Sequence, residues 1–200
     1  MGQEPCLRRA RSRARELFGA RAATVDRHPI LGIDPVSCTP QLGRPGPWHA
    51  RLPHFRMEFT PSAGEELQSE YLVPRRHAVE AIEAVRALAH RIRPLLLVCE
   101  IRTIAADRLW MSTAYDQDSV ALHFTWRPEP SAVADLVAVL EDDLAAFGAR
   151  PHWGKVFAAT AETIAPLYPR HHDFVLLAER MDPRGAFRNE WFTTRVLGGV

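Results

Sequence analysis

The stretch Leu95-Leu96-Leu97-Val98-Cys99-Glu100-Ile101-Arg102, read beside Ser119-Val120-Ala121-Leu122-His123-Phe124-Thr125-Trp126, decides the fold. In an extended chain, residues two apart share a face. Glu100 and Arg102 then point one way, and Leu97, Cys99 and Ile101 the other. In the second segment His123 and Thr125 share a face, while Val120, Leu122, Phe124 and Trp126 hold the opposite one. A sheet of such strands has one oily side and one side bearing a carboxylate, a guanidinium, an imidazole and a hydroxyl. Those groups suit a small, hydroxyl-rich ligand. The first strand is expected inside the sheet, where charged groups need partners or a function. Cys99 is expected to be a buried thiol. The structural alternative for Glu100 and Arg102 is a same-face ion pair that tolerates solvent.

The neighbouring sequence supplies the rest of the fold. Leu67 to Val73 reads as a strand closed by Pro74. Arg75 to Ile92 places Val79, Ile82, Val85, Leu88 or Ala89, and Ile92 at helical spacing before Pro94. Ser131 is placed to cap a helix whose apolar stripe runs through Val133, Leu136, Val137, Leu140, Leu144 and Phe147, with Gly148 at its end. Arg150 to Phe157 reads as extended, followed by short helices around Thr160–Leu167 and Arg170–Arg180. From Leu67 to Phe157 the order is strand, helix, strand, strand, helix, strand. That order predicts an α+β fold, a ferredoxin-like antiparallel sheet with helices on one face. The other face is left for a ligand or a partner domain.

Before this region the chain changes character. Cys6 to Arg15 reads CLRRARSRAR, a basic leader. Residues 28–54 are rich in proline and glycine and read as an irregular connector. His54 to Thr60 alternates, which predicts a strand burying Phe55, Met57 and Phe59. The expected division is a leader over 1–27, a connector over 28–53, a substrate-binding domain over 54–181 and a tail over 182–200.

Composition sets bounds. The 200 residues carry a net charge of +1, which gives no reason to expect nucleic acid as a partner. Cys6, Cys38 and Cys99 form no CxxC, and no apolar run resembles a signal or a membrane span. A reducing cytoplasm is the expected location. There is no GxGxxG, Walker-type loop, HExxH or GxSxG, and the histidines lack metal-ligand spacing, so no metal is expected. His171 and His172 diverge if helical. In His152-Trp153-Gly154-Lys155 the glycine is expected to let the backbone approach closely. Lys155 is expected to reach over the polar face as a point charge.

Several segments together resemble a known family. They are Gly46-Pro47-Trp48-His49, His54-Phe55-Arg56-Met57-Glu58-Phe59, Gly64-Glu65-Glu66-Leu67-Gln68-Ser69-Glu70-Tyr71, Glu100-Ile101-Arg102, His123-Phe124-Thr125-Trp126 and Pro151-His152-Trp153-Gly154-Lys155. The tail Asp182-Pro183-x-Gly185-x-Phe187-x-Asn189 joins them. In order and spacing they resemble the C-terminal, substrate-binding half of alditol oxidases and D-arabinono-1,4-lactone oxidases, within the vanillyl-alcohol-oxidase class of FAD-linked oxidases. The resemblance implies a cap domain in which Glu100, Arg102, His123, Thr125 and Lys155 line the polyol site. It implies oxidation of the terminal hydroxyl of an alditol, or of an aldonolactone, by hydride transfer to FAD, with oxygen giving hydrogen peroxide. Arg102 and Lys155 take the catalytic, charge-stabilising part in that scheme. The FAD-binding half does not resemble anything in this sequence, so a separate FAD-binding domain or subunit is an implied partner. The alternatives are a catalytically silent fragment and a non-enzymatic polyol-binding module. A nucleic-acid role for the arginine leader is a weaker third reading.

Overall fold

The computed structural model describes residues 16–17, 19–59 and 65–198. The leader stretch Cys6–Arg15, and Thr60 at the end of the alternating segment, lie outside the described residues. The chain forms two compact units, Met1–Pro61 and Ser62–Val200.

The first unit is irregular. Glu16–Leu17 pairs with Ala20–Arg21 in a small antiparallel ladder, and 3-10 turns form at Pro35–Ser37 and Trp48–Ala50. Thr39 Oγ1 donates to the carbonyl of Pro53 at 2.6 Å, and Phe55 bridges Cys38. The strand expected over His54–Thr60 does not form across its described residues. Arg56 N–H bonds to Ser37 O, and Phe59 N–H bonds to Arg56 O, so the chain turns instead of extending. Met57 is 93% exposed. Alternation alone does not make a strand: the segment pairs with Cys38 at a single bridge and then turns back on itself.

The second unit carries the sheet. Its elements are β1 (Leu67–Pro74), α1 (Ala78–Ala87), α2 (Ala89–Ile92), β2 (Leu96–Ile104), β3 (Ser119–Trp126), α3 (Pro130–Ala145) and β4 (Arg150–Pro151). Short helices α4 (Ala161–Ile164) and α5 (His171–Met181) follow. The spatial order is β2-β3-β1-β4, with every neighbouring pair antiparallel. This is the expected α+β, ferredoxin-like arrangement.

One side of the sheet is the core. Tyr71 and Val73 of β1, and Val120, Leu122, Phe124 and Trp126 of β3, meet Ala81 of α1, Ile92 of α2, and Val133, Leu136, Val137, Leu140 and Leu144 of α3. Phe124 and Trp126 stack with centroids 5.0 Å apart, and Trp126 Nε1 donates to Ser69 Oγ at 2.9 Å. Each fully buried aliphatic side chain here contributes about 1.5–3 kcal/mol.

Four local features differ from the sequence reading. β2 is an edge strand, because β3 lies between it and β1. Cys99 is therefore exposed, and Ile101 is 56% exposed. The helix expected over Arg75–Ile92 opens with a 3-10 turn at Arg75–His77 and breaks at Leu88, whose N–H bonds back to Val85 O. α3 begins with Pro130 in its first turn, where the missing N–H costs nothing, and has no side-chain cap from Ser131. After Pro151 the ladder stops, although Val156 N–H still donates to Gln68 O. Among the described residues, no helix is long and apolar enough to cross a membrane.

Candidate functional site

The register of the sheet brings the polar groups together. Glu70 of β1 pairs with His123 of β3, which pairs in turn with Glu100 of β2. Gln68 pairs with Thr125, and Arg102 with Ala121. Strand parity then puts Gln68, Glu70, His123, Thr125, Glu100 and Arg102 on the face away from the core. A bulge makes this possible. Leu96 pairs with Trp126 and Val98 with Thr125, so Leu97 is an extra residue. The bulge lets Leu96 join the core while Glu100 and Arg102 keep to the opposite face.

The centre of the cluster is Glu70, a buried carboxylate at 5% exposure. Its Oε2 meets Lys155 Nζ in a close ion pair and lies 3.3 Å from His123 Nδ1. Its Oε1 accepts from Arg102 Nη1 at 3.3 Å. Arg102 Nη2 donates to Glu100 Oε2 at 2.7 Å, so one guanidinium bridges two carboxylates. Lys155 Nζ also lies 2.8 Å from His123 Nδ1. His123 Nδ1 thus sits between the Glu70 carboxylate and the Lys155 ammonium, and its tautomer decides whether it donates to the first or accepts from the second. His123 Nε2 lies 3.3 Å from Thr125 Oγ1, so the ring also joins the threonine hydroxyl to the cluster.

Burial alone would raise the Glu70 carboxyl. The hydrogen bonds from His123 and Lys155, and the charge of Lys155, instead hold it at about 2. Arg102 is pushed up despite partial burial by its bonds to Glu100 and Glu70. His152 is pushed down by burial and by the nearby ammonium.

The segment after β4 is fixed from several sides, and this aims Lys155. His152 N–H donates to Glu70 O at 2.9 Å and Val156 N–H to Gln68 O at 2.8 Å. Trp153 Nε1 donates to Met111 O at 2.8 Å. Glu141 of α3 accepts from Ala158 N–H at 2.9 Å, and Arg195 Nη1 donates to the carbonyls of Ala158 and Ala159. Buried Arg150 donates to Thr113 O, Tyr115 O and Leu167 O, tying the β2–β3 loop across the end of the polar face. Gly154 is not there for close approach: a Cβ added to it would meet only the His152 ring at 3.5 Å, an ordinary contact.

All five residues singled out from the sequence therefore belong to one cluster. Glu70 was missed there, although it is the hub. The signal was present: period two across Leu67–Val73 puts Gln68 and Glu70 opposite Leu67, Ser69, Tyr71 and Val73. An open hollow of about 350 Å³ lies beside Lys155 and Gln68. A hollow of about 390 Å³ on the helix side, around Glu141 and Tyr71, holds none of these groups. Among the described residues, no cluster of three or more metal-ligating side chains occurs.

A Rossmann-type dinucleotide site uses a tight, glycine-bearing strand-to-helix turn whose free N–H groups reach the pyrophosphate. β1 passes into α1 through Arg75-Arg76-His77, and β3 into α3 through Arg127-Pro128-Glu129. Neither turn contains glycine, so neither offers the pyrophosphate of FAD a cradle of that type.

Fold and site thus define an α+β domain: a split β-α-β sheet whose open face carries a compact cluster of charged and polar side chains. The family model for D-arabinono-1,4-lactone oxidase matches residues 63–195, and the chain belongs to that family. It is 52% identical over 170 residues to an alditol oxidase of Streptomyces sp., a match covering 85% of this chain and 41% of that protein. It is 36% identical over 134 residues to an L-gulono-1,4-lactone dehydrogenase of Mycobacterium tuberculosis, covering 66% of this chain and 30% of that protein. An L-gulonolactone oxidase of Mus musculus is 28% identical over 127 residues. The chain therefore spans well under half the length of these relatives.

Proposed function

We propose that this chain is the substrate-binding part of an FAD-dependent oxidase that oxidises the terminal hydroxyl of an alditol, or an aldonolactone, with oxygen as acceptor. Membership of the lactone oxidase family supports the oxidoreductase class and implies FAD. The flavin is then held by residues other than those described, for example a separate FAD-binding domain or subunit. Residues 54–181 are the substrate-binding portion in this reading. Free Cys38 and Cys99 suit a reducing cytoplasm.

The observation that carries the proposal is the convergence of Glu100, Arg102, His123, Thr125 and Lys155 around one buried carboxylate. Two carboxylates face two cations, so the site is electrically balanced and suits a neutral ligand with many hydroxyls. Oxidising an alcohol removes a hydride from its carbon and a proton from its hydroxyl; as the hydroxyl proton leaves to solvent, negative charge builds on the oxygen. Arg102 and Lys155 are placed to stabilise that charge without reorganising. Glu100 accepts a hydrogen bond from a substrate hydroxyl and holds Arg102 in place. Thr125 donates to a hydroxyl further along the substrate, which fixes the carbon presented for reaction.

A second reading, a polyol-binding module with no redox partner, draws on the lack of a glycine-bearing phosphate turn at these two strand-to-helix junctions. Calorimetric titration of the chain with xylitol or sorbitol tests the site itself. Saturable heat that is lost in Lys155→Met and Arg102→Ala, with the fold intact by circular dichroism, is the expected result. Silence in the wild type overturns the proposal. Peroxide production after adding a flavin-bearing domain separates the oxidase from the module.

A further inference from the structure

Among the described residues, β2 ends the sheet, and the hydrogen bonds show which of its backbone groups face outward. Glu70 O accepts from His152 N–H, so the backbone groups of Glu70 point away from β3, and those of His123 opposite it point toward β2. Arg127 N–H, on the same side of β3 as His123, donates to Leu95 O and gives the same parity. Glu100, paired with His123, and Arg102, paired with Ala121, therefore direct their N–H and C=O groups to β3. Those of Cys99, Ile101 and Thr103 point out of the sheet. Every residue from Cys99 to Thr103 is exposed.

A row of outward N–H and C=O groups is a template for another strand. The opposite edge is different. β4 is two residues long, and the segment after it is bonded back to Glu70 and Gln68. Association through the β2 edge alone closes at two copies and does not run on into a fibre.

A two-fold axis normal to the sheet sets two β2 strands antiparallel. Their outward groups bond where Cys99, Ile101 and Thr103 of one copy face the same set in the other. Of the registers that allow this, the one centred on Ile101 is complementary. Glu100 then faces Arg102 of the second copy, and Arg102 faces its Glu100, with half-buried Val98 against Ile104 on the same side of the sheet. On the other side Ile101, which is 56% exposed, meets its own copy, and Cys99 meets Thr103. A shift of one step either way sets Glu100 against Glu100 or Arg102 against Arg102, which is repulsive. Larger shifts remove the charge pairs altogether. Charges on an edge strand ordinarily guard it against pairing. Here the guard acts in the neighbouring registers and turns attractive in this one. Glu100 and Arg102 already bond within the chain, yet their side chains remain 48% and 42% exposed, which leaves polar atoms free for a second partner.

We propose that the β2 edge is a homodimer interface, in which two copies of this chain pair antiparallel through Cys99–Thr103, centred on Ile101, with Glu100 of each copy against Arg102 of the other. The two four-stranded sheets become one, and both polar clusters lie on a single continuous face. This inference does not rest on the reaction proposed above.

The test is the mass of the whole chain by sedimentation equilibrium across the micromolar range. Wild type should be dimeric at the upper end of that range. Ile101→Pro removes an outward N–H, which an edge strand tolerates, so it should stay folded by circular dichroism and weaken dimerisation at least about tenfold. Glu100→Lys and Arg102→Glu each set like charges opposite one another and should weaken it as well. Mixed in equal amounts, these two variants should associate again, because one edge is then wholly cationic and the other wholly anionic. A wild type that stays monomeric throughout overturns the proposal, whether its edge stays open or takes a strand from a flavin-bearing domain. A dimer that survives in folded Ile101→Pro overturns it too, as does a mixture of the two folded charge variants that fails to associate. Should a variant unfold, amide hydrogen exchange of the wild type decides. The amides of Cys99, Ile101 and Thr103 should slow as concentration rises, while those of Glu100 and Arg102 are slow at every concentration. Exchange at those three amides that ignores concentration in a chain seen to dimerise means a different interface, and the proposal is wrong.

Discussion

At the level of single residues, Glu70 sets both the chemistry and the pH response. Its carboxyl falls from 4.5 to about 2 on folding. A lowered carboxylate stabilises the fold above its unfolded value, and the contribution is lost as pH falls through the folded value. The relevant window thus runs from 4.5 down to about 2. Glu70→Gln should cost about 3 kcal/mol at neutral pH, because two cations lose a buried partner. In urea melts the gap to wild type should close as the pH is lowered through that window, since protonated Glu70 and Gln are then alike. A gap independent of pH would mean that the side chain matters for its shape alone. Glu100, Arg102, His123, Thr125 and Lys155 were legible in the sequence because each breaks a pattern, either a charge in an apolar strand or a lone lysine after an aromatic. Glu70 broke no pattern of its own. An acid at an alternate position reads as solvent-facing until its neighbours in the sheet are known. Only the Glu70–His123–Glu100 register shows that it lies under two cations.

Among the elements, α3 shows what period-3.6 patterning specifies reliably. Its predicted stripe Val133, Leu136, Val137, Leu140 and Leu144 is the buried stripe. Leu140 is fully buried, so Leu140→Ala should lower unfolding free energy by about 2–5 kcal/mol through lost transfer energy and a residual cavity. The same helix carries a polar clamp. Glu141 accepts from Tyr71 Oη at 2.8 Å and from Ala158 N–H, and burial pushes its carboxyl up in spite of those bonds. A raised carboxyl penalises the folded state once pH exceeds the unfolded value, and the penalty is absent in acid. Glu141→Gln keeps an acceptor for both donors. It should therefore raise the melting temperature at neutral pH and leave it unchanged in acid; a lower value at neutral pH would show that the charge itself holds the Lys155 segment. Strands were harder to read. The β2 sequence looks interior, yet β2 is an edge, because topology and not composition decides who sits beside whom. Phe55, Met57 and Phe59 alternate as cleanly as β3 does, but their pairing stops at the single Cys38–Phe55 bridge, because the chain turns at Arg56–Phe59.

On the scale of the molecule, the family match over residues 63–195 coincides with the second compact unit, Ser62–Val200. Every group of the candidate site, and the helices that cover the other side of its sheet, lie inside that unit. The first unit closes on its own bonds, such as Thr39 to Pro53 and Gln41 to Arg27. A unit with its own core is expected to unfold as one cooperative species. The fragment 62–200 should therefore melt in a single transition, with a urea slope reduced in proportion to the surface it lacks. Because the site lies wholly within it, its affinity for xylitol in calorimetry should match that of the whole chain. A fragment that folds yet binds at least about tenfold more weakly, a loss of about 1.4 kcal/mol, would mean that Met1–Pro61 contributes to the ligand site. A fragment that fails to fold would mean that the core of α1 and α3 against the sheet is insufficient, and that the proline-rich segment is part of the domain and not an extension of it.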